Sequence, residues 1–158
     1  MAEDAPLKVI AATDGSEAAL AAVHRAVGLL RPGAAVSLVM VIAGQEDPMA
    51  DAGGFEGPVI TEDQAAEEFQ EASQAATEAL DHLAHETTEV TETRLVVDDA
   101  GPARGIVRIA TEEHADLLVI GAHETGLLKR LFSGSVSDYV VHHAPCPVLV
   151  VRHDHGEG

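Results

Sequence analysis

Five short apolar runs, spaced by stretches of helical periodicity or by turns, constrain this chain more than any other feature. The first, Leu7 to Thr13, ends in Asp14-Gly15-Ser16, a turn and helix-start signal. From Ser16 to about Leu30 the residues Ala19, Leu20, Val23, Val27 and Leu30 recur at spacings of three and four, which predicts one face of a helix stopped by Pro32-Gly33. Val36 to Ile42 is continuous, the pattern of a strand buried on both faces. Residues 43–60, rich in Gly, Pro and Asp without periodicity, read as a mobile loop. Thr61 to about His85 predicts a long acidic helix with Ala65, Phe69, Ala72, Ala76, Leu80 and Leu83 on its inner face. Thr93 to Val97 makes a third strand, Gly101-Pro102 opens a helix carrying Ile106, Val107, Ile109 and Ala110, and Asp116 to Ile120 is a fourth strand ended by Gly121. A glycine-punctuated loop, a helix from about Gly134 to His143, a last strand from Val148 to Arg152 and a polar tail over residues 153–158 complete the chain.

Strands alternating with helices spell a parallel α/β sheet. Five strands are too few to close an eight-stranded barrel, so the sheet is open, with helices on both faces. Open sheets of this kind take ligands beyond the carboxyl ends of their strands, where strand order reverses. Attention therefore falls on Thr13–Ser16 and on Gly121–Ser135.

Composition narrows the function. The 158 residues suit one domain with its core over 7–152, and no run of about 18 apolar residues offers a membrane span. The opening MAEDAPLK lacks a basic, then apolar, signal segment, so a cytoplasmic protein is expected. The 27 acids against 9 bases give −18, a surface that repels nucleic acid and anionic lipid. With only Lys8 and Lys129 as lysines, that balance points to a halophile's cytoplasm, where molar salt screens self-repulsion. The single cysteine, Cys146, excludes an internal disulfide, and between two prolines it reads as a small hydrophobe.

Few residues could carry chemistry. Gly134-Ser135-Val136-Ser137 at a helix start offers free N–H groups and hydroxyls, which suits either an anion site or an ordinary cap. Asp14 could meet ribose hydroxyls or Mg²⁺, or simply shape its turn. Neither a Walker loop nor a G-x-S-x-G elbow is present. The histidines form no ligand pattern: His142 and His143 are adjacent and diverge on a helix, and His82 and His85 lack a third partner, so no metal site is expected. The uncharged Val148, Leu149, Val150 and Val151, at a plausible sheet edge, predict a homodimer that covers them.

The segment from Val119-Ile120-Gly121 through Leu127-Leu128-Lys129-Arg130-Leu131-Phe132-Ser133-Gly134-Ser135-Val136-Ser137 to His143-Ala144-Pro145-Cys146-Pro147-Val148 resembles the universal stress protein family. Val9 to Ser16 matches that family's opening, and the likeness runs over about residues 7–152. The resemblance implies strand order 3-2-1-4-5 and a dimer joined through the last strands. It also implies the nucleotide motif G-x2-G-x9-G-[ST], on which Gly121, Gly134 and Ser135 fall, while Glu124 stands at its second glycine. By the same resemblance Ala12, Thr13 and Val41 would frame an adenine base with their backbone, and Asp14 would meet ribose or metal. Gly121 and His123 would line the phosphate side, and Gly134, Ser135, Val136 and Ser137 would grip the phosphates.

A carboxylate beside polyphosphate costs about 1 kcal/mol even in water at 4 Å. The expectation is thus a dimeric, ATP- and Mg²⁺-binding stress-response regulator, not an enzyme, since no base or catalytic arginine is recognisable. The alternatives are a family member that works through protein contacts without nucleotide, favoured by Glu124, and a slow ATP-hydrolysing enzyme.

Overall fold

The computed structural model describes residues 5–13, 17–44, 61–86, 90–122 and 135–152. Its elements are β1 (Lys8–Ala12), α1 (Glu17–Leu29), β2 (Ala35–Ala43), α2 (Glu62–Glu86), β3 (Val90–Asp98), α3 (Pro102–Glu112), β4 (Leu117–Ala122), α4 (Ser135–His143) and β5 (Val148–Arg152). All strand pairs are parallel, in the order β3-β2-β1-β4-β5.

The two-residue period of the strands sorts the core into two layers. Val9 and Ala11 of β1, Val36, Leu38 and Met40 of β2, and Val119 of β4 join Ala22, Val23, Ala26, Val27, Ala76 and Leu80 of α1 and α2. Ile10, Ala12, Val39, Val41, Leu118 and Ile120 face the other way, against Ile106, Ile109, Val136 and Val140 of α3 and α4. Helices thus cover both faces of an open sheet. None of the described helices is long and apolar enough to cross a membrane.

Local chemistry sets the element ends. Thr61 and Gln64 form a reciprocal capping box at the start of α2: the Gln64 amide donates to Thr61 Oγ1 at 3.3 Å, and the Thr61 amide to Gln64 Oε1 at 3.2 Å. Pro102, with no amide hydrogen to satisfy, opens α3. At the other end of α3 the Ala115 amide reaches Ala110 O at 3.0 Å and the His114 amide reaches Thr111 O at 3.3 Å, a Schellman closure. That closure holds His114 at φ 52, a left-handed conformation that penalises a Cβ. His114→Gly should therefore raise stability by about 0.5–1 kcal/mol, after glycine's greater unfolded-state entropy is subtracted. A thermal melt reads this directly, and an unchanged midpoint would mean that the entropy cancels the relief.

Several sequence expectations need correction. Gly121 does not end the fourth strand: it pairs with Val151, and Ala122 pairs with Arg152. The proposed 43–60 loop starts later, because Ala43 is in β2 and the Gly44 amide bonds Asp98 O at 3.1 Å. The third strand is longer than Thr93–Val97, and its polar start escapes an apolar search because β3 is an edge with a bulge: Val36 pairs Val90 while Ser37 pairs Glu92, leaving Thr91 to donate its hydroxyl to Val36 O at 3.0 Å. Ser37 interrupts the apolar character of β2, and its hydroxyl donates to Glu92 Oε2 at 3.3 Å. On α2, Ala72 is exposed and Ser73 takes the half-buried place instead. The rest of the 43–60 loop and the 153–158 tail lie outside the described residues.

Candidate functional site

β1 is the strand from which the chain proceeds outward in both directions, to β2 and then β3 on one side and to β4 and then β5 on the other. Its carboxyl end is where strand order reverses, and a crevice opens there in sheets of this type. Ala12 is opposite Val39 on β2 and Ile120 on β4. The next residue, Thr13, continues the ladder by donating its amide to Val39 O at 3.0 Å and is only 1% exposed. Val41 follows two places after Val39, on the same face of β2. Ala12, Val41, Ile120 and Val136 belong to one buried cluster. The fold therefore brings Ala12, Thr13 and Val41 to one edge, together with the first turn of α4.

That first turn has one polar feature of its own. Among the described residues the buried Ser137 hydroxyl has no hydrogen-bond partner, a costly state for a donor that a ligand acceptor would relieve. Ser135 starts α4, but its side chain lies outside the description. Asp14, His123, Glu124 and Gly134 also lie outside the described residues.

Gly121 reaches this edge for a reason of packing. A Cβ placed on it would lie 3.3 Å from both Ala19 Cα and Ala22 Cβ, so its bare backbone lets α1 settle on β4. Its absent side chain thus faces α1, on the sheet face opposite Val41 and Val136.

Two residues that matter here were not expected from sequence. Gly105 of α3 is buried, and a Cβ on it would come within 2.7 Å of Val41 Cγ1 and 3.0 Å of Asp98 Cβ. Glycine thus lets α3 lie directly on Val41. Asp98, 9% exposed at the end of β3, accepts from the Ala100 amide at 2.8 Å and from Arg108 Nε at 3.0 Å. Arg108 Nη2 adds a contact at 2.8 Å. The Ala100 amide and then Arg108 hold the Asp98 carboxyl below the usual carboxylate range, against the opposing effect of burial. Asp98 also receives the Gly44 and Gly101 amides on its carbonyl, each at 3.1 Å, so one residue ties the exit of β2 to the start of α3. The sequence signal was a glycine inside an otherwise good helix, which often marks close packing.

Among the described residues the remaining titratable groups do not form a centre. His142 and His143 each direct Nδ1 to their own helix, onto Asp138 O at 2.7 Å and Tyr139 O at 2.8 Å. Among the described residues no group of three or more His, Cys, Asp or Glu could hold a metal ion. The Cys146 thiol is pushed up by burial and by Asp116, which disfavours the reactive thiolate.

Against known proteins, the family model described as the universal stress protein family matches residues 7–152. A universal stress protein of Methanocaldococcus jannaschii is 30% identical over 148 residues, covering 92% of this chain and 81% of that one. One from Thermus aquaticus is 51% identical over 51 residues, 32% of this chain and 37% of the relative. The first of the curated relatives are each matched over well under half their length. Among solved structures, a universal stress protein in complex with cAMP superposes with a TM-score of 0.57 at 25% identity, covering 94% of this chain and 98% of that one.

Proposed function

Because the chain belongs to the universal stress protein family, we propose that it is a stress-response module that binds an adenine nucleotide, ATP with Mg²⁺, at the carboxyl edge of β1. The observation that carries this is the convergence of Ala12, Thr13 and Val41 with the first turn of α4 where strand order reverses. The cAMP complex of a relative supports the class of ligand. In this proposal the backbone at Ala12, Thr13 and Val41 frames the base and Asp14 meets ribose or metal. Gly121 and His123 border the phosphates, and Gly134, Ser135, Val136 and Ser137 grip them. The unpartnered Ser137 hydroxyl fits a phosphate oxygen. The proposed role is binding, with hydrolysis at most incidental.

Calorimetry with ATP and AMP in molar KCl with Mg²⁺ tests this. Micromolar or tighter ATP binding is expected, and Glu124→Gly should tighten it, most of all at lower salt where repulsion is least screened. Absence of binding at millimolar ATP would favour the second reading, a module acting through protein contacts. The observation behind that reading is Glu124, a carboxylate where the nucleotide motif has glycine.

We further propose a homodimer through β5 and residence in a halophile's cytoplasm. β5 is a sheet edge, and Val150 is 37% exposed on it. Leu149 packs against the α1 layer, so a charge there would also disturb folding. Val150→Lys is the cleaner change: light scattering should show monomers, and a persistent dimer would place the interface elsewhere.

A further inference from the structure

On a chain with 27 acids and 9 bases, cations find carboxylates readily. Arg108 pairs with Asp98 at 2.8 Å and Glu112 at 3.5 Å, and Arg94 pairs with Glu113. Arg104 is different. It is exposed, in the first turn of α3, and among the described residues no carboxylate meets it. Its guanidinium carbon is instead 5.9 Å from the centre of the Tyr139 ring, near the outer limit of a cation–π contact. A cation in the first turn also opposes the positive end of the helix dipole, and that turn holds no acid to offset it. Helix energetics alone therefore argue against arginine at this position.

Its placement supplies a reason. α3 and α4 pack together on one face of a wholly parallel sheet, so both begin at the carboxyl edge. Tyr139 lies one turn into α4, about 6 Å along the axis from the helix start. Arg104 thus stands at the carboxyl edge beside α4, 5.9 Å from the Tyr139 ring, which itself stacks on His143. An anion there would be met by two helix starts and a planar, two-pronged donor.

We propose that Arg104 reads the length of the phosphate chain: it leaves the Tyr139 ring to bind the outer phosphates of a nucleoside triphosphate, and has nothing to bind in a monophosphate. This rests on the adenine-nucleotide reading above. Exchange of a weak ring contact for a charge-assisted, bidentate one makes the move favourable.

Tyr139 is the chain's one tyrosine, and tryptophan is absent, so ultraviolet emission reports on the Tyr139 ring, whose surroundings include Arg104 at 5.9 Å and the stacked His143 ring at 4.0 Å. The experiment takes the full chain in molar KCl with Mg²⁺ and titrates ATP and AMP into wild type, Arg104→Gln and Arg104→Lys, following heat and tyrosine emission at fixed pH. Arg104→Gln should weaken ATP about tenfold or more while AMP stays within about twofold. Arg104→Lys, which keeps the charge without the fork, should lose less. ATP and not AMP should change the wild-type emission, and Arg104→Gln should abolish that change. Equal losses for both nucleotides, or none for either, would overturn the role of Arg104. Wild type that binds neither nucleotide would overturn the nucleotide reading itself and Arg104 with it. The first failure is seen in the variants and the second in wild type, so the two are distinct.

Discussion

Gly121→Val should destabilise the protein by about 3 kcal/mol, at the upper end of what overpacking a well-filled interior costs. A Cβ alone would already sit 3.3 Å from the Ala19 backbone and the Ala22 methyl, and valine adds two further methyl groups in that direction. Neither neighbour can swing aside, because one is helix backbone and the other a methyl fixed to it. α1 would have to lift from β4, loosening the layer that holds Val23, Ala26 and Val119. For a chain of this size the melting midpoint should fall by roughly 6–12 °C, and it should do so with no nucleotide present. Gly121→Ala should cost less, about 1 kcal/mol, since only the first contact is made. An unchanged midpoint for the valine variant would show that α1 yields freely, and would leave a ligand as the reason for glycine here. The loss expected without nucleotide separates a packing glycine from a phosphate glycine, two roles that a motif cannot tell apart.

The same residue shows what the sequence could and could not disclose. A glycine after an apolar run reads as a break, because glycine weakens strands. β4 instead runs on, since Gly121 and Ala122 still pair with Val151 and Arg152. Strand existence, order and the helix on each face were legible, because buried parallel strands need continuous apolar runs and the family resemblance supplied the order. β3 was legible only in its apolar half: as an edge strand it can carry Thr91, Glu92 and Arg94, and a bulge absorbs the irregularity. The phase of α2 is ambiguous at Ala72, because alanine fits an inner or an outer face equally well, and the fold leaves it exposed.

For the site, Ala12, Thr13, Val41 and Val136 could be placed from the topological rule and the resemblance, and the fold brings them to one edge. Asp98 and Gly105 could not. Their partners Arg108 and Val41 are brought to them only by the docking of α3 on the sheet, and no local pattern records that event.

Asp98→Ala should cost about 2–3 kcal/mol at neutral pH, the worth of hydrogen bonds to a charged group that is nearly buried. The carboxylate accepts from the Ala100 amide and from two nitrogens of Arg108, and the substitution leaves that amide without its partner. The pH dependence has a definite sign. The folded carboxyl is held below its ordinary range, so folding favours the ionised form. Its stabilisation is present in full above the unfolded-state value of about 4 and is lost as pH falls through the lower folded value. The stability gap between wild type and Asp98→Ala should therefore be constant between about pH 6 and 8 and narrow below about pH 4. Urea unfolding of both proteins at pH 7 and pH 3 reads the gap, and taking the difference removes the shared response of the other acids. A gap unchanged at pH 3 would mean that the carboxyl acts by filling space rather than by charge. Asp98→Asn should fall between, because an amide oxygen can still accept from Ala100 while the ion pair with Arg108 is gone. The consequence extends to the site. Asp98 fixes where α3 begins, so Gly105 meets Val41 and Arg104 meets Tyr139 only while this turn is held. Loss of the Asp98 carboxylate should blur the Tyr139 emission change proposed for ATP even where the variant remains folded, because the arginine would no longer start from a single position.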